Sequence, residues 1–249
     1  MDIVYTIWLR NVKRYLRSRS RIIGSLGMPL FFLLILGFGL NSVVRGPHMG
    51  HGYVSFIVPG IVSMSVLFTS MFSGIQIIWD KQFGFLKETL VAPVSRLEIM
   101  LGQTLGGATT ALIQGLIILV LSLFVGLEVT GLPGFVLAIG FMILIGVAFT
   151  ALGIAIASRM EDMHGFQLIM NFVIFPIFGL SGALFPIDSL PVWLHSLTLL
   201  DPLTYGVEGI RYGLAGTAQV GPLVSLSALG AFTVVMVGIG AWLFRGIQI

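Results

Sequence analysis

Side chains able to carry out chemistry are few in this sequence. It contains no cysteine, which excludes thiol nucleophiles and Cys metal sites. It has no G-x-x-x-x-G-K-[ST] motif, so we expect no P-loop hydrolysis of ATP by this chain. His48 and His51 are three residues apart but have no obvious third ligand, and His164 and His195 are isolated. The sequence therefore predicts no metal site and no cofactor bound to this chain.

One serine lies in a setting that could make it a nucleophile. Gly179-Leu180-Ser181-Gly182 resembles the G-x-S-G of rhomboid intramembrane proteases. Such a serine needs a histidine base within hydrogen-bond reach. The last apolar segment contains no histidine, and His195 falls in a loop. An intramembrane serine protease is therefore only an alternative function, and we expect Ser181 to be a packing position.

Large polar side chains are rare inside the apolar segments. Transporters driven by ion gradients usually keep charged residues within their spans, and here the span interiors contain no Asp, Glu, Lys, Arg or His. A secondary transporter or channel is therefore disfavoured, and energy for transport would come from outside the chain. The candidate residues of a substrate path are the uncharged side chains Gln103, Gln114, Gln167 and Asn171.

Composition identifies the chain as an all-α integral membrane protein. Of its 249 residues, 57% are hydrophobic and 9% are charged, whereas soluble domains have about 25% charged residues. A membrane-crossing helix needs about 20 apolar residues. Six segments satisfy this requirement, and we expect them to form a single transmembrane domain covering residues 1–249. The predicted spans are 22–40, 53–78, 99–125, 134–157, 166–185 and 223–244.

The distribution of Lys and Arg predicts the orientation. With the N-terminus in the cytoplasm, eleven of these residues fall on the cytoplasmic side, and only Arg45 and Arg211 fall outside. Cytoplasmic loops carry an excess of Lys and Arg. We therefore expect a multi-pass protein of the cell inner (plasma) membrane with both termini in the cytoplasm.

Two cytoplasmic segments are amphipathic. Residues 1–21 place apolar side chains on one helical face and basic ones on the others, which predicts an interfacial helix on the cytoplasmic leaflet; a charge cluster that only sets topology is the alternative. In residues 80–98, Phe83, Leu86 and Leu90 recur at helical spacing before Pro93 ends the helix. We expect this second helix to dock a soluble partner, although it could instead lie on lipid.

The segment 186–221 is apolar but is interrupted by Pro186, Pro191 and Pro202. Because proline breaks helices, we expect one or two extracellular re-entrant or interfacial helices here and not a seventh span.

This layout resembles the ABC-2 type permeases of ATP-binding-cassette exporters, in their drug-resistance-like branch. The segment FGFLKETLVAPVSR (83–96) is similar to the family's cytoplasmic loop, although Asp80-Lys81 stands where many members carry a Glu-Arg-type pair. The extracellular segment is similar to the family's S-G-x-x-F-P, L-P and P-L-T-Y pattern. Its matching residues are Ser181, Gly182, Phe185, Pro186, Leu190, Pro191, Pro202, Leu203, Thr204, Tyr205 and Arg211.

The resemblance implies a function in an assembly. A separate ATPase subunit would bind ATP and Mg, and a second permease chain, usually identical, would complete the membrane part. The cargo would be an amphipathic or hydrophobic drug or lipid, with polysaccharide as the alternative. The residues that would contact the ATPase as a coupling helix are Phe83, Gly84, Leu86, Lys87, Glu88, Leu90 and Pro93.

Overall fold

The computed structural model describes residues 2–41, 53–85, 94–127 and 129–246, and within these ranges the chain is helical with no β-strand. One short 3-10 turn, Ile187–Ser189, lies between α7 and α8. The α-helices in chain order are α1 Asp2–Arg17, α2 Arg19–Asn41, α3 Tyr53–Ser73, α4 Ile75–Gln82, α5 Arg96–Phe124, α6 Leu132–Ser158, α7 Met163–Leu180, α8 Val192–Leu200, α9 Pro202–Ala215 and α10 Pro222–Arg245.

Six helical segments in the described ranges are long and apolar enough to cross a membrane, which confirms the predicted number. They are α2, the α3–α4 pair, α5, α6, α7 and α10. The predicted span ends differ from the helix ends by a few residues. The largest difference is at α7, which ends at Leu180 because the chain turns at Gly182, whose φ of +67° favours glycine.

The α3 helix is the centre of the bundle. Almost all of its residues are buried, and it packs against α2, α5, α6 and α9. By contrast, only about a fifth of the residues in the apolar stretches of α2, α7 and α10 are buried. A helix that is apolar all round and buried only on one side matches a position between protein and lipid tails.

Small residues allow the helices to touch backbone to backbone. A Cβ atom added at Gly74 would overlap the carbonyl of Gly153, and one added at Gly153 would overlap the carbonyl of Met71. The same situation occurs at Gly134, where the obstructing carbonyl belongs to Gly213. These contacts bring α3, α4 and α9 against α6 at distances that no larger side chain permits.

Two short helices, α8 and α9, lie between the last two spans, as the prolines predicted. They contain 9 and 14 residues. At 1.5 Å per residue, the longer one rises about 21 Å, which is too short for a hydrocarbon core of about 30 Å. Pro191 precedes the first residue of α8, and Pro202 is the first residue of α9, where its missing N–H has no cost.

We expect Gly153→Ala to destabilise the protein because its methyl group has no space beside the Met71 carbonyl. Overpacking of this kind costs about 1–3 kcal/mol, more than alanine gains in helix propensity. Thermal unfolding in detergent measures the effect. Gly140→Ala is the matched control, because a Cβ atom there has no heavy atom within 4 Å. Equal unfolding temperatures for the two variants would contradict the close contact.

Candidate functional site

Most described basic residues lie at one end of the bundle, which we call the basic end: α1, the first turn of α2, the last turn of α4, the first turn of α5 and residues 157–162. At its centre is the carboxylate of Asp80, which is 5% exposed. Arg10 Nη2 lies 2.7 Å from Asp80 Oδ2, and Gln103 Nε2 donates to the same oxygen at 3.2 Å. Gln76 Nε2 donates to Asp80 Oδ1 at 2.8 Å. This carboxylate therefore joins α1, α4 and α5.

The two residues after Asp80 bind the end of α6. Lys81 Nζ donates to the carbonyls of Ser158 and Met160 at 2.7 and 3.1 Å. Gln82 Nε2 donates to the Glu161 carbonyl at 2.9 Å. A cation at the C-terminus of a helix satisfies carbonyls that lack a helical partner and opposes the helix dipole. Together with Asp80, these residues form what we call the α4 anchor (Asp80, Lys81 and Gln82).

The segment after the α4 anchor carries the predicted docking helix. Phe83 is 74% exposed, and Gly84 has a φ of +78°. The guanidinium of Arg10 lies 4.3 Å from the centroid of the Phe85 ring. The other predicted contact residues, Leu86, Lys87, Glu88, Leu90 and Pro93, lie outside the described residues. On the far side, Ser95 and Glu98 form a capping box that fixes the start of α5.

The first helix is amphipathic as predicted, and its apolar face packs against α5. Ile7 is buried against Gly102, and Asn11 lies against Gly106. Trp8 Nε1 donates to Thr109 Oγ1 at 2.9 Å. Burial raises the pKa of the Tyr15 phenol, which is therefore neutral and donates to Gln114 Oε1. The position of α1 on a membrane leaflet stays a prediction.

The four uncharged polar residues predicted for a substrate path do not meet. Gln103 and Gln114 are buried on the face of α5 that binds α1, since Asn11 Nδ2 donates to Gln103 Oε1 at 2.6 Å. Gln167 and Asn171 lie on the exposed face of α7. Gln103 and Gln114 thus have packing contacts, whereas Gln167 and Asn171 are exposed on this chain, and a role for the four in a substrate path stays a prediction.

A buried ion pair holds the opposite end of the bundle together. Glu208 and Arg211 of α9 are paired and almost completely buried. Arg211 Nη2 donates to the Gly182 carbonyl at 3.0 Å, and its guanidinium lies 4.2 Å from the Phe56 ring centroid. Glu208 Oε2 accepts from the backbone N–H of Gln219 at 2.5 Å. The pair joins α9 to α3, to the turn after α7 and to the loop before α10.

From the sequence, Arg211 was expected through its motif, whereas Glu208 was not. The prediction that charged residues are absent applied to span interiors alone, and α9 is a short helix outside the spans that packs inside the bundle. The i, i+3 spacing of the two opposite charges on an apolar helix was the available signal.

Other predicted residues of this region have structural contacts. Ser181 Oγ donates to the Phe178 carbonyl at 2.7 Å and, in the described part of the chain, has no histidine as a hydrogen-bond partner. Tyr205 Oη donates to the Leu199 carbonyl at 2.8 Å. The Pro186 carbonyl accepts from Ser189. Phe185 lies half-buried in the turn between Gly182 and Pro186. These contacts do not form a catalytic serine site.

A family model described as ABC-2 type transporter matches residues 3–215. The chain belongs to the ABC-2 type transporter family. It is 28% identical over 233 residues to the inner membrane transport permease YadH of Escherichia coli K12, covering 92% of this chain and 89% of that protein. It is 27% identical over 231 residues to Nodulation protein J of Sinorhizobium fredii, covering 92% and 87%. This ABC-2 family member is therefore the membrane subunit of a transporter, as the sequence motifs predicted.

We expect the stability of this permease to fall as pH rises towards 7, because of Asp201 at the start of α9. Asp201 Oδ1 accepts from the Leu203 N–H at 2.9 Å, whereas Oδ2 is buried with no partner among the described residues. Burial raises the pKa of this carboxyl from 3.8 to about 7. A raised pKa in the folded state means that the protonated form is favoured, so the stabilisation is complete below about pH 4 and is lost as pH rises to about 7.

Asp201→Asn keeps the cap but cannot ionise. The variant should therefore be more stable than the wild type at pH 8, with a flatter pH profile between 4 and 8, measured by thermal unfolding in detergent. Asp188→Asn, which changes an exposed carboxylate in the same connection, is the control and should leave the profile unchanged. If Asp201→Asn showed the same pH dependence of unfolding temperature as the wild type, this carboxyl would not titrate in this range.

Proposed function

We propose that this chain is the permease subunit of an ATP-driven exporter whose ATPase is a separate subunit. Residues 83–93 would dock into that subunit as a coupling helix, and ATP and Mg would be bound there. The α4 anchor is the observation that carries this proposal. It places the start of the docking segment at a junction of α1, α5 and α6, so that a force applied to the segment reaches three helices at once.

The mechanism follows from that junction. ATP binding would close the two ATPase subunits, and each docking segment would move with its subunit. Because Asp80 and Lys81 bind neighbouring helices through charge-assisted hydrogen bonds, the movement would displace the bundle as a unit and would not bend α4 alone. Such rigid-body rocking would change access to the cargo from one side of the membrane to the other.

The orientation and assembly belong to the same proposal. The basic end would face the cytoplasm, because Lys and Arg concentrate there, and both termini would lie on that side. The inner membrane is supported by the printed name of the YadH relative. Two permease chains, usually identical in this family, would pair with two ATPase chains. The helices α8 and α9 would be re-entrant on the outer side.

The cargo would be an amphipathic or hydrophobic drug or lipid, because the spans are apolar and offer few polar groups. A polysaccharide is the second candidate, favoured by exposed aromatic rings on α7 and α8. Phe172 and Trp193 are 82% and 66% exposed, and aromatic faces of this kind suit sugar rings as well as lipid.

We expect Phe83→Asp and Leu86→Asp to abolish binding of the ATPase subunit, because each introduces a charge into an apolar docking face. The measurement is affinity purification of the tagged permease in mild detergent, with mass spectrometry of the co-purifying subunit. Leu132→Asp is the matched control, since Leu132 is 75% exposed at the opposite end of the bundle. Purification of the wild type alone, under conditions that preserve other complexes, would refute the proposed coupling.

We expect Asp80→Asn to leave the ATPase subunit bound but to weaken coupling. The change removes the charge from the bond to Arg10, and charge-assisted bonds are about twice as strong as neutral ones. The readout is the change in ATPase rate that the permease causes in nanodiscs, which should fall by about tenfold, the effect of losing roughly 1.4 kcal/mol. Glu161→Gln, on an exposed side chain nearby, should have no effect. An unaltered rate in Asp80→Asn would exclude the α4 anchor from coupling.

A further inference from the structure

A groove with a volume of about 370 Å³ opens between α2 and α3. On the α2 side its lining includes Arg21, Gly24 and Pro29, and on the α3 side Met64 and Phe68. The distance along α2 from Arg21 to Pro29 is about 12 Å at 1.5 Å per residue. This is close to half of a hydrocarbon core of about 30 Å, so the groove has the depth of one membrane leaflet.

The shape of the groove follows from two residues of α2. Gly24 contributes no side chain, and a Cβ atom added there would have no heavy atom within 4 Å. Pro29 lies inside the helix and has no N–H to donate to the carbonyl four residues earlier. A missing side chain and a proline in one face of α2 leave the space against α3 unfilled.

The mouth of the groove is basic and its depth is apolar. Arg21 is exposed, has no acidic partner among the described residues, and no Asp or Glu lines the groove. The lining of a wider depression beside it includes Lys13, Arg14, Arg17 and Arg19, which have no described acidic partner, and Arg10, which is paired with Asp80. Farther along α2, the walls are mainly thioether and aromatic groups from Met28, Met64 and Phe68, with Ser65 and Thr69 between them on α3.

We propose that this groove binds an acidic phospholipid of the leaflet at the basic end, with the phosphate on Arg21 and one acyl chain along Met28, Met64 and Phe68. A guanidinium binds phosphate oxygens in a bidentate manner, and the surrounding basic residues favour a headgroup with net negative charge. The apolar depth excludes a free anion as the natural ligand, because only a ligand with a hydrocarbon chain would fill it. The proposed site lies within one chain and is independent of any ATPase partner.

The first test compares two lipids with identical acyl chains, phosphatidylglycerol and phosphatidylcholine, on the full-length protein in detergent. Binding is followed by native mass spectrometry and by the rise in unfolding temperature. We expect phosphatidylglycerol to bind about tenfold more tightly, the equivalent of one charge-assisted contact. Inorganic phosphate at the same concentration should give no rise. Equal binding of the two lipids, or an equal effect of phosphate, would overturn the proposal.

Two pairs of matched variants locate the site. Arg21→Gln should reduce the preference for phosphatidylglycerol to within about twofold, whereas Arg19→Gln should retain it. Gly24→Leu should fill the groove and weaken both lipids by about tenfold, whereas Gly27→Leu, also open at its Cβ position but outside the groove, should not. Equal losses within either pair would indicate general attraction to a basic surface and would overturn the proposed site.

A second variant that fills the groove tests the proposal independently of whether Gly24→Leu folds. Met28 is 48% exposed and lines the same groove, so Met28→Trp adds volume without entering the core. It should weaken both lipids as Gly24→Leu does, with an unfolding temperature in the absence of lipid equal to that of the wild type. Wild-type lipid binding in a folded Met28→Trp variant would exclude the groove as the acyl-chain site.

Discussion

In a hydrocarbon solvent, apolar side chains gain little by facing one another instead of lipid, so this bundle depends on close backbone contact and on polar groups that meet inside it. The close backbone contacts occur at glycines, and the polar contacts occur at charged residues. Gly74 and Gly153 bring α4 and α6 into contact. At the two ends, Asp80 and Arg211 each join several helices. The remaining apolar surface can face lipid without cost.

The two polar clusters join different sets of helices at the two ends of the bundle. At the basic end, the α4 anchor connects the segment that would meet an ATPase to α1, α5 and α6. At the opposite end, the buried pair of Glu208 and Arg211 ties the short helix α9 to α3 and to the loops on either side. Removing one partner of such a pair leaves an uncompensated buried charge and costs about 3–5 kcal/mol.

The groove between α2 and α3 shows a second effect of glycine on helix packing. Glycine at a helix contact lets two backbones touch, as at Gly153, whereas at Gly24 it leaves space that no other part of the described chain fills. The groove lies beside the basic residues of α1. A lipid held there would contact the first span, which has the smallest share of buried residues among the six spans found in the described residues.

The sequence by itself determined the class, the number of spans, the short helices and the family. Each of these depends on local composition: runs of about 20 apolar residues, prolines, and motifs contiguous in the chain. Only the tertiary structure decided which polar residues meet. Arg10 and Asp80 are 70 residues apart in sequence, and no local pattern pairs them. Glu208 was missed because its burial depends on α9 packing against α3 and α6. Gln167 was grouped with Gln103 because sequence cannot tell an exposed side of a helix from a buried one.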